Sequence, residues 1–170
     1  LSFIATANAV LAAGFTPVFV DVDRETLNID PDKIEAAITS KTRAIKVVHT
    51  MGRPCEMDPI VEIAKRHNLL LFEDSCEAHG AKYKDRYIGT FGDGATFSYY
   101  VAHLICCGEG GMISTNNDKV AESIHSTRTH GRKNGDLYFS FDRIGFNSKM
   151  NDLEASLGLE GIKGFMKTYR

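Results

Sequence analysis

The feature that most constrains the fold is the alternation of short apolar runs with segments of helical periodicity. Residues 44–49 (AIKVVH) and 69–74 (LLLFED) are nearly continuous apolar runs that end in polar side chains, and each predicts a buried strand. Residues 59–67, between them, place apolar side chains at helical spacing. Because such strands need cover on both faces, the alternation predicts an α/β fold with a mostly parallel sheet flanked by helices.

The rest of the chain continues this pattern. Helices are predicted at 2–13, from Asp30-Pro31 onward, at 118–129 and from Asp152 onward, and buried strands at 17–23, 95–100 and 110–115. The segment 131–148 is rich in loop-forming residues. Since parallel sheets carry their chemistry at the carboxyl ends of the strands, the residues after LLLFED and those in FSYYVAH (97–103) are the first candidates for a site.

Length, charge and cysteine content exclude several classes of protein. With 170 residues, 43% of them hydrophobic, the chain can form one domain with a core. A formal net charge of -2 gives no attraction to nucleic acid or an anionic membrane, and no apolar run is long enough to span one. The four cysteines contain no CxxC pair and no secretory signal is seen, so we expect reduced thiols and a cytoplasmic protein. The absence of an initiator Met leads us to expect a fragment of a longer protein.

Asp74 ends an otherwise apolar strand, at the edge where a parallel sheet carries its chemistry. One interpretation is an ordinary helix N-cap or a salt-bridged strand end. The other is a carboxylate that pairs with a protonated heterocycle. Such a carboxylate keeps a pyridinium nitrogen charged, so that the ring can accept electrons.

Ser98 and His103 lie close to a glycine-rich turn, GEGG (108–111). A serine at the end of a strand with glycines nearby can bind a phosphate, although GEGG also forms an ordinary tight turn. His103, within VAHLI, is by its surroundings more typical of a core histidine than of a catalyst. No two histidines share a helix face at the spacing of metal ligands, so no metal site is predicted.

The order and spacing of these residues carry a family resemblance over essentially the whole chain. The runs GFTPVFVDVD, LLLFEDSCEAHGAKYKDRYIGTFGDGATFSYYVAH, GEGGMISTNN and RIGFNSKMNDLEASLGL resemble the DegT/DnrJ/EryC1/StrS family. The resemblance implies part of a fold-type-I large domain over residues 1–170, which binds PLP or PMP and acts on a nucleotide-linked keto sugar. The phosphate-binding segment that precedes this region in the family and the C-terminal small domain are expected to be absent.

For the cofactor ring, the resemblance assigns three residues. Phe3 falls where the family stacks an aromatic ring on the cofactor. Asp74 matches the aspartate that pairs with the pyridine nitrogen, and Glu77 falls where a polar side chain reaches the ring hydroxyl.

For the phosphate, the sugar and the partner subunit, the resemblance assigns three more. Ser98 matches the phosphate-binding serine, and His130 falls near the sugar site of some relatives. Asn147 matches an asparagine contributed across the subunit interface, which implies a homodimer.

His103 is the position where this chain departs from the family pattern. Family aminotransferases carry lysine five residues after the phosphate-binding serine, and here that residue is histidine. A lysine binds the cofactor covalently and moves protons, whereas an imidazole can do only the second. The resemblance to the lysine-less branch, the nucleotide-linked 4-keto-6-deoxyhexose 3-dehydratases, implies 3-dehydration with His103 as the base and with glutamate as the amino donor that restores PMP.

Two alternatives remain open. One is an aminotransferase-like family member with another chemistry at His103, and the other is a non-catalytic paralogue that binds the sugar or the cofactor. The joint presence of Asp74, Glu77, Ser98 and Asn147 favours a working site. Residues 108–170 contain no cysteine, which argues against the iron–sulfur cluster of one dehydratase subgroup.

Overall fold

Short apolar strands form a parallel sheet, and a helix connects the first two of them. In the computed structural model, which describes residues 1–133, 135 and 140–168, the chain divides into two units, Leu1–Phe97 and Ser98–Arg170. The first unit contains helices α1 (Ala5–Ala12), α2 (Pro31–Ala37) and α3 (Met57–Arg66) and strands β1 (Ala44–Val48), β2 (Leu70–Asp74), β3 (Lys82–Tyr83), β4 (Arg86–Tyr87) and β5 (Gly94–Ser98). The last residue of β5 begins the second unit.

The main sheet of the first unit is parallel. β1 pairs with β2 in register Val48 to Asp74, and β2 pairs with β5 in register Asp74 to Thr96. The carboxyl ends of the three strands therefore lie side by side, with Asp74 in the central strand. This confirms the predicted α/β class. β3 and β4 form a separate antiparallel hairpin that the sequence analysis did not predict.

The two faces of this sheet differ in burial. Ile45 and Val47 of β1 and Leu71 of β2 point into a core that also contains Ile60 of α3, which is fully buried. Alternate side chains of a strand point to opposite faces, so Lys46 shares the other, partly buried face with Asp74. Asp74, the carboxylate proposed for chemistry, thus lies on the face away from this core.

Local sequence signals account for the helix boundaries. Asp30 caps α2 by accepting a 3.0 Å hydrogen bond from the Asp32 amide, and Pro31 occupies the first turn. α3 ends with Lys65 and Arg66, cations that suit the negative end of a helix. α3 begins two residues earlier than the predicted Pro59, and β5 ends at Ser98 rather than at residue 100.

The strand predicted at 17–23 is wrong. The segment forms no ladder, and its one pairing among the described residues is an isolated antiparallel bridge between Val22 and Ile29. Val18 and Phe19 are 69% and 80% exposed. An apolar run becomes a buried strand only where a neighbouring strand accepts its hydrogen bonds, and sequence pattern alone does not supply that neighbour.

The second unit contains β6 (Gly111–Ser114), α4 (Asp118–Arg128) and α5 (Asp152–Thr168). Asn117 caps α4, since its side-chain oxygen accepts hydrogen bonds from the amides of Lys119 and Val120. The predicted loop 131–148 includes residues 134 and 136–139, which lie outside the described residues. In the parts of the chain that are described, no helix combines the length and the apolar character that a membrane crossing requires.

Candidate cofactor and sugar site

Asp74 is held at the carboxyl end of the central strand by three neighbours. Its Oδ2 accepts a 3.2 Å hydrogen bond from the Thr6 hydroxyl, and the Lys46 ammonium lies 3.7 Å from the same oxygen. Its Oδ1 accepts a 3.3 Å hydrogen bond from the amide of Cys76. Both oxygens of the carboxylate have partners that orient it, and the side chain is only 15% exposed. An ordinary helix N-cap does not require this degree of orientation and burial.

Thr6 and Lys46 were not predicted as site residues. Thr6 lies in α1, and its hydroxyl accepts a 2.6 Å hydrogen bond from Ser2, so the N-terminal segment is tied to Asp74. Lys46 could have been found from the sequence, because it is a charged residue inside the apolar strand AIKVV. Lys46 and Val48 point to the same face of the sheet, and Val48 is the residue that pairs with Asp74. For Thr6 there was no such signal, since the contact joins residues 68 positions apart.

Glu77 lies in the first unit, three residues beyond Asp74. Its carboxylate accepts a 2.5 Å hydrogen bond from the backbone amide of Met51, in the 3-10 turn Thr50–Gly52 that follows β1. A Cβ added at Gly52 would lie 2.9 Å from the Glu77 carbonyl oxygen, and Gly52 also has a φ of +79°. The turn therefore needs glycine at this position to approach Glu77 closely.

Phe3 precedes α1 and is 79% exposed. Its carbonyl accepts a 3.1 Å hydrogen bond from the amide of Thr6, the residue whose hydroxyl contacts Asp74. The ring is therefore attached to the segment that reaches Asp74, and its faces are open for stacking.

Cys76 lies against the same carboxylate. Burial raises the pKa of its thiol to about 12, and the hydrogen bond and negative charge of Asp74 add to this increase. A thiol of this kind is protonated and unreactive at neutral pH, so Cys76 is not a nucleophile candidate.

Behind Asp74, the preceding residue forms a buried polar network. The Glu73 carboxylate accepts hydrogen bonds of 2.7 to 2.9 Å from backbone amides of the loop 89–92. The His49 Nε2 lies 3.3 Å from the same carboxylate, and the Cys55 amide donates to His49 Nδ1 at 3.1 Å. Since Nδ1 accepts, the proton is on Nε2, and His49 donates to Glu73. Burial acts to raise the pKa of Glu73, but these hydrogen bonds outweigh it and the pKa is lowered.

In the second unit, Ser98 and His103 flank a tight turn. The Ser98 hydroxyl oxygen accepts a 3.2 Å hydrogen bond from the Tyr100 amide, which leaves its proton free to be donated. The His103 amide donates to the Tyr100 carbonyl at 2.9 Å, and the two rings are edge to face at 6.2 Å. His103 is only partly buried, and Leu104 beside it is 48% exposed, so His103 is not a core histidine.

His130 and Asn147 are brought together in the second unit. The His130 amide donates to the Phe146 carbonyl at 2.8 Å, and Thr129 forms an antiparallel bridge with Asn147. His130 has a φ of +62°, in the left-handed region that few residues other than glycine adopt. Both side chains are exposed.

Among the described residues, no three or more His, Cys, Asp or Glu side chains are arranged to hold a metal ion. None of the four cysteines forms a disulfide.

The sequence matches the model of the DegT/DnrJ/EryC1/StrS aminotransferase family over residues 1–169. The chain belongs to this family. This finding agrees with the parallel sheet and with a carboxylate at the end of its central strand.

The chain is similar to proteins named as a synthase and as a dehydratase. GDP-perosamine synthase from Caulobacter vibrioides is 47% identical over 163 residues, which are 96% of this chain and 44% of the relative. A dTDP-4-dehydro-2,6-dideoxy-D-glucose 3-dehydratase from Saccharopolyspora spinosa is 41% identical over 186 residues, covering 95% of this chain and 40% of the relative.

Among solved structures, ntda from Bacillus subtilis with bound PMP superimposes with a TM-score of 0.88 and 39% identity, covering 96% of this chain and 37% of that one. The chain spans less than half of the length of these relatives.

Proposed function

We propose that the whole protein to which this chain belongs is a PLP- or PMP-dependent enzyme that removes the hydroxyl group at carbon 3 of a nucleotide-linked keto sugar. The observation that carries this proposal is histidine at position 103, five residues after Ser98, where the family aminotransferases hold lysine. The proposal places the protein in the cytoplasm, and the four unpaired thiols support a reducing compartment.

The residues of the first unit fit a phosphorylated pyridine ring. Asp74 offers an oriented carboxylate to a protonated ring nitrogen. Glu77 can accept from the ring hydroxyl, and the exposed ring of Phe3 can stack on the cofactor face. When bound, the cofactor supplies an electron sink.

For the phosphate, the proposal uses Ser98. Its hydroxyl oxygen is fixed by the Tyr100 amide, so the hydroxyl proton can be donated to a phosphate oxygen. A neutral hydroxyl contributes one hydrogen bond and not a charge, and further donors are needed for tight binding.

His103 is assigned as the residue that moves protons. An imidazole takes up and releases protons near neutral pH, which suits general acid–base catalysis. It cannot hold the cofactor covalently, so the binding energy has to come from the non-covalent contacts of Asp74, Glu77 and Ser98. The turn at Tyr100 and the edge-to-face ring contact orient the imidazole.

For the sugar and the partner subunit, the proposal uses His130 and Asn147. Both are exposed and are held together by the bridge at Thr129. The proposal assigns Asn147 to the site of a second subunit in a homodimer. Exposed apolar side chains in the same unit, such as Ile144 at 89%, support a partner surface there.

The relatives support two chemistries. A 3-dehydratase is 41% identical to the chain, whereas a transaminase of Aneurinibacillus thermoaerophilus is 43% identical over 159 residues. This second observation favours an aminotransferase-like reaction as the competing candidate. A non-catalytic paralogue is the third possibility, and it predicts no turnover at all.

The balance of atoms separates the first two candidates. Replacing the hydroxyl at carbon 3 by hydrogen reduces the sugar, and glutamate supplies the electrons. The sum is keto sugar plus glutamate giving 3-deoxy keto sugar, 2-oxoglutarate and ammonia. Transamination instead keeps the nitrogen in an amino sugar, so that 2-oxoglutarate forms without ammonia.

The test supplies the whole protein with PLP, glutamate and a nucleotide-linked 4-keto-6-deoxyhexose. We expect one ammonia for each 2-oxoglutarate and a sugar that has lost one oxygen, both measured in the same reaction by an ammonia assay and mass spectrometry. His103→Asn should reduce the rate by about a hundredfold or more, because the base is lost. The exposed His125→Asn of α4 is the matched control and should retain full activity. An amino sugar formed without ammonia contradicts the dehydratase assignment.

A further inference from the structure

Lys46 is a charged side chain inside an otherwise apolar strand. Its neighbours Ile45 and Val47 point into the core, and Lys46 points to the opposite face, where its side chain is 25% exposed. A lysine at such a position loses part of its hydration and needs a partner. The partner is Asp74, whose Oδ2 lies 3.7 Å from the ammonium nitrogen.

The two oxygens of Asp74 have different surroundings. Oδ2 receives the Thr6 hydroxyl and faces the Lys46 ammonium, whereas Oδ1 receives the amide of Cys76. The thiol of Cys76 is also hydrogen-bonded to this carboxylate. A carboxylate accepts about four hydrogen bonds in all. We assign the ring nitrogen of the cofactor to Oδ1, because Oδ2 is the oxygen that is paired with Lys46.

We infer that Lys46 is a positioning residue that shares the Asp74 carboxylate with the ring nitrogen and weakens the charged hydrogen bond between them. This inference rests on the proposed function. A cation beside the carboxylate lowers the negative potential that a second cation, the protonated ring, experiences at the other oxygen. Because His103 cannot bind the cofactor covalently, the strength of this hydrogen bond contributes directly to cofactor retention.

A purely structural ion pair is the competing explanation for Lys46. In that case the residue fills space and anchors β1, and its loss affects the stability of the fold. If Lys46 instead shares the charge of Asp74, its loss changes the preference of the site for a ring nitrogen over a ring carbon at the same position. A change in the stability of the fold does not alter this preference.

The test measures the dissociation constants of PMP and of its 1-deaza analogue, in which carbon replaces the ring nitrogen, with the whole protein. The ratio of the two constants isolates the Asp74 interaction, because the phosphate, amine and hydroxyl groups are the same in both ligands. Lys46→Met should raise the preference for PMP about fivefold, which is the rough size of effect expected from removing one charge close to the Asp74 carboxylate. Lys46→Arg should keep the wild-type ratio within about twofold, since it retains the charge.

Two controls make the outcome unambiguous. Lys41→Met removes one positive charge from an exposed position and should leave the ratio unchanged. Asp74→Asn should bring the ratio close to one. If the wild-type ratio is already close to one, both the Asp74 assignment and the role of Lys46 are overturned. If the ratio is high and depends on Asp74 but Lys46→Met leaves it unchanged, the inference about Lys46 alone is overturned.

Discussion

The two units of the chain bury their apolar residues to very different extents. In the first unit, Leu1–Phe97, a contiguous core joins the sheet to α2 and α3, and buried polar side chains such as Glu73 have several hydrogen-bond partners. Among the described residues of the second unit, Ser98–Arg170, the buried hydrophobic side chains are those of Ile105 and Cys107.

The exposure of the second unit is concentrated on α5. Gly158 and Gly161 face residues 105–107, since a Cβ at Gly158 would lie 2.6 Å from the Cys107 sulfur. Apolar side chains flank this glycine face on both sides and are exposed, namely Leu153, Leu157, Leu159, Ile162 and Met166. A helix that is apolar on both flanks is typical of a buried position.

The two units therefore obtain their stability from different sources. The first unit has a core of its own, and the buried Glu73 has several hydrogen-bond partners. The second depends more on close backbone packing around its glycines than on buried side chains. Substitutions that test these two sources should therefore have separate effects.

The largest effect is expected from Gly145→Ala in the second unit. A Cβ at this position would lie 2.1 Å from the Gly131 nitrogen and 2.5 Å from the His130 carbonyl carbon, both backbone atoms that cannot move aside cheaply. We expect the free energy of unfolding to fall by about 4 kcal/mol, which is at the high end of the effects of single substitutions. Amide hydrogen exchange of α4 should report it.

The matched control is Gly164→Ala in α5, where an added Cβ meets nothing within 4 Å. Alanine is the better helix former, so this change should stabilise by up to about 1 kcal/mol. If the two substitutions have equal effects, close packing at Gly145 does not hold the second unit together.

The next largest effect is expected from Glu73→Gln in the first unit. One amide oxygen replaces two carboxylate oxygens that accept from the loop 89–92 and from His49, so buried donors lose their partners. We expect the free energy of unfolding to fall by about 3 kcal/mol. The measurement is hydrogen exchange of the amides of β1 and β2 at increasing denaturant concentration. Glu62→Gln on the exposed face of α3 is the control and should change stability by less than about 0.5 kcal/mol.

The pH dependence of stability follows from the same residue. The pKa of Glu73 is lower in the folded state than its ordinary value, so its contribution is fully present above the pKa of an unfolded glutamate. That contribution decreases as the pH falls towards the folded pKa, by up to about 1.4 kcal/mol for each pH unit. Unfolding titrations of wild type and Glu73→Gln should therefore converge on acidification. Parallel curves over this range would show that Glu73 is not held in its ionised form.

The smallest effects are expected at the two helix caps, one in each unit. Asp30→Ala removes the side chain that caps α2, and Asn117→Ala removes the one that caps α4. Each should cost about 1 kcal/mol, detected as faster amide exchange in the first turn of its own helix. Faster exchange in both helices from either substitution would show that the two units do not differ in the way described.

Sequence patterns predicted the parallel sheet and most element positions because the apolar runs of β1 and β2 and the periodicity of α3 are strong local signals. They were wrong at 17–23, where a run with the composition of a strand pairs only through the bridge at Val22. They missed the hairpin of β3 and β4, whose strands contain only two residues each.

For the site, the sequence suggested individual residues but not the contacts that they make. Asp74 was proposed from its position at the end of an apolar strand, and Glu77 from the family resemblance. The contact of Thr6 with Asp74 and the network around Glu73 depend on residues far apart in the chain, which no local pattern encodes. Lys46 was detectable as a charge in an apolar strand, but its partner was not.

The most direct test of the central claim, that position 103 is the place of the catalytic base beside the cofactor, is chemical labelling of His103→Lys. The whole protein carrying this substitution is mixed with an equimolar amount of PLP and reduced with borohydride, and its peptides are analysed by mass spectrometry. We predict near-stoichiometric pyridoxyl modification at residue 103, which Asp74→Asn in the same background should weaken. Modification spread over other lysines with none at residue 103 would contradict the account.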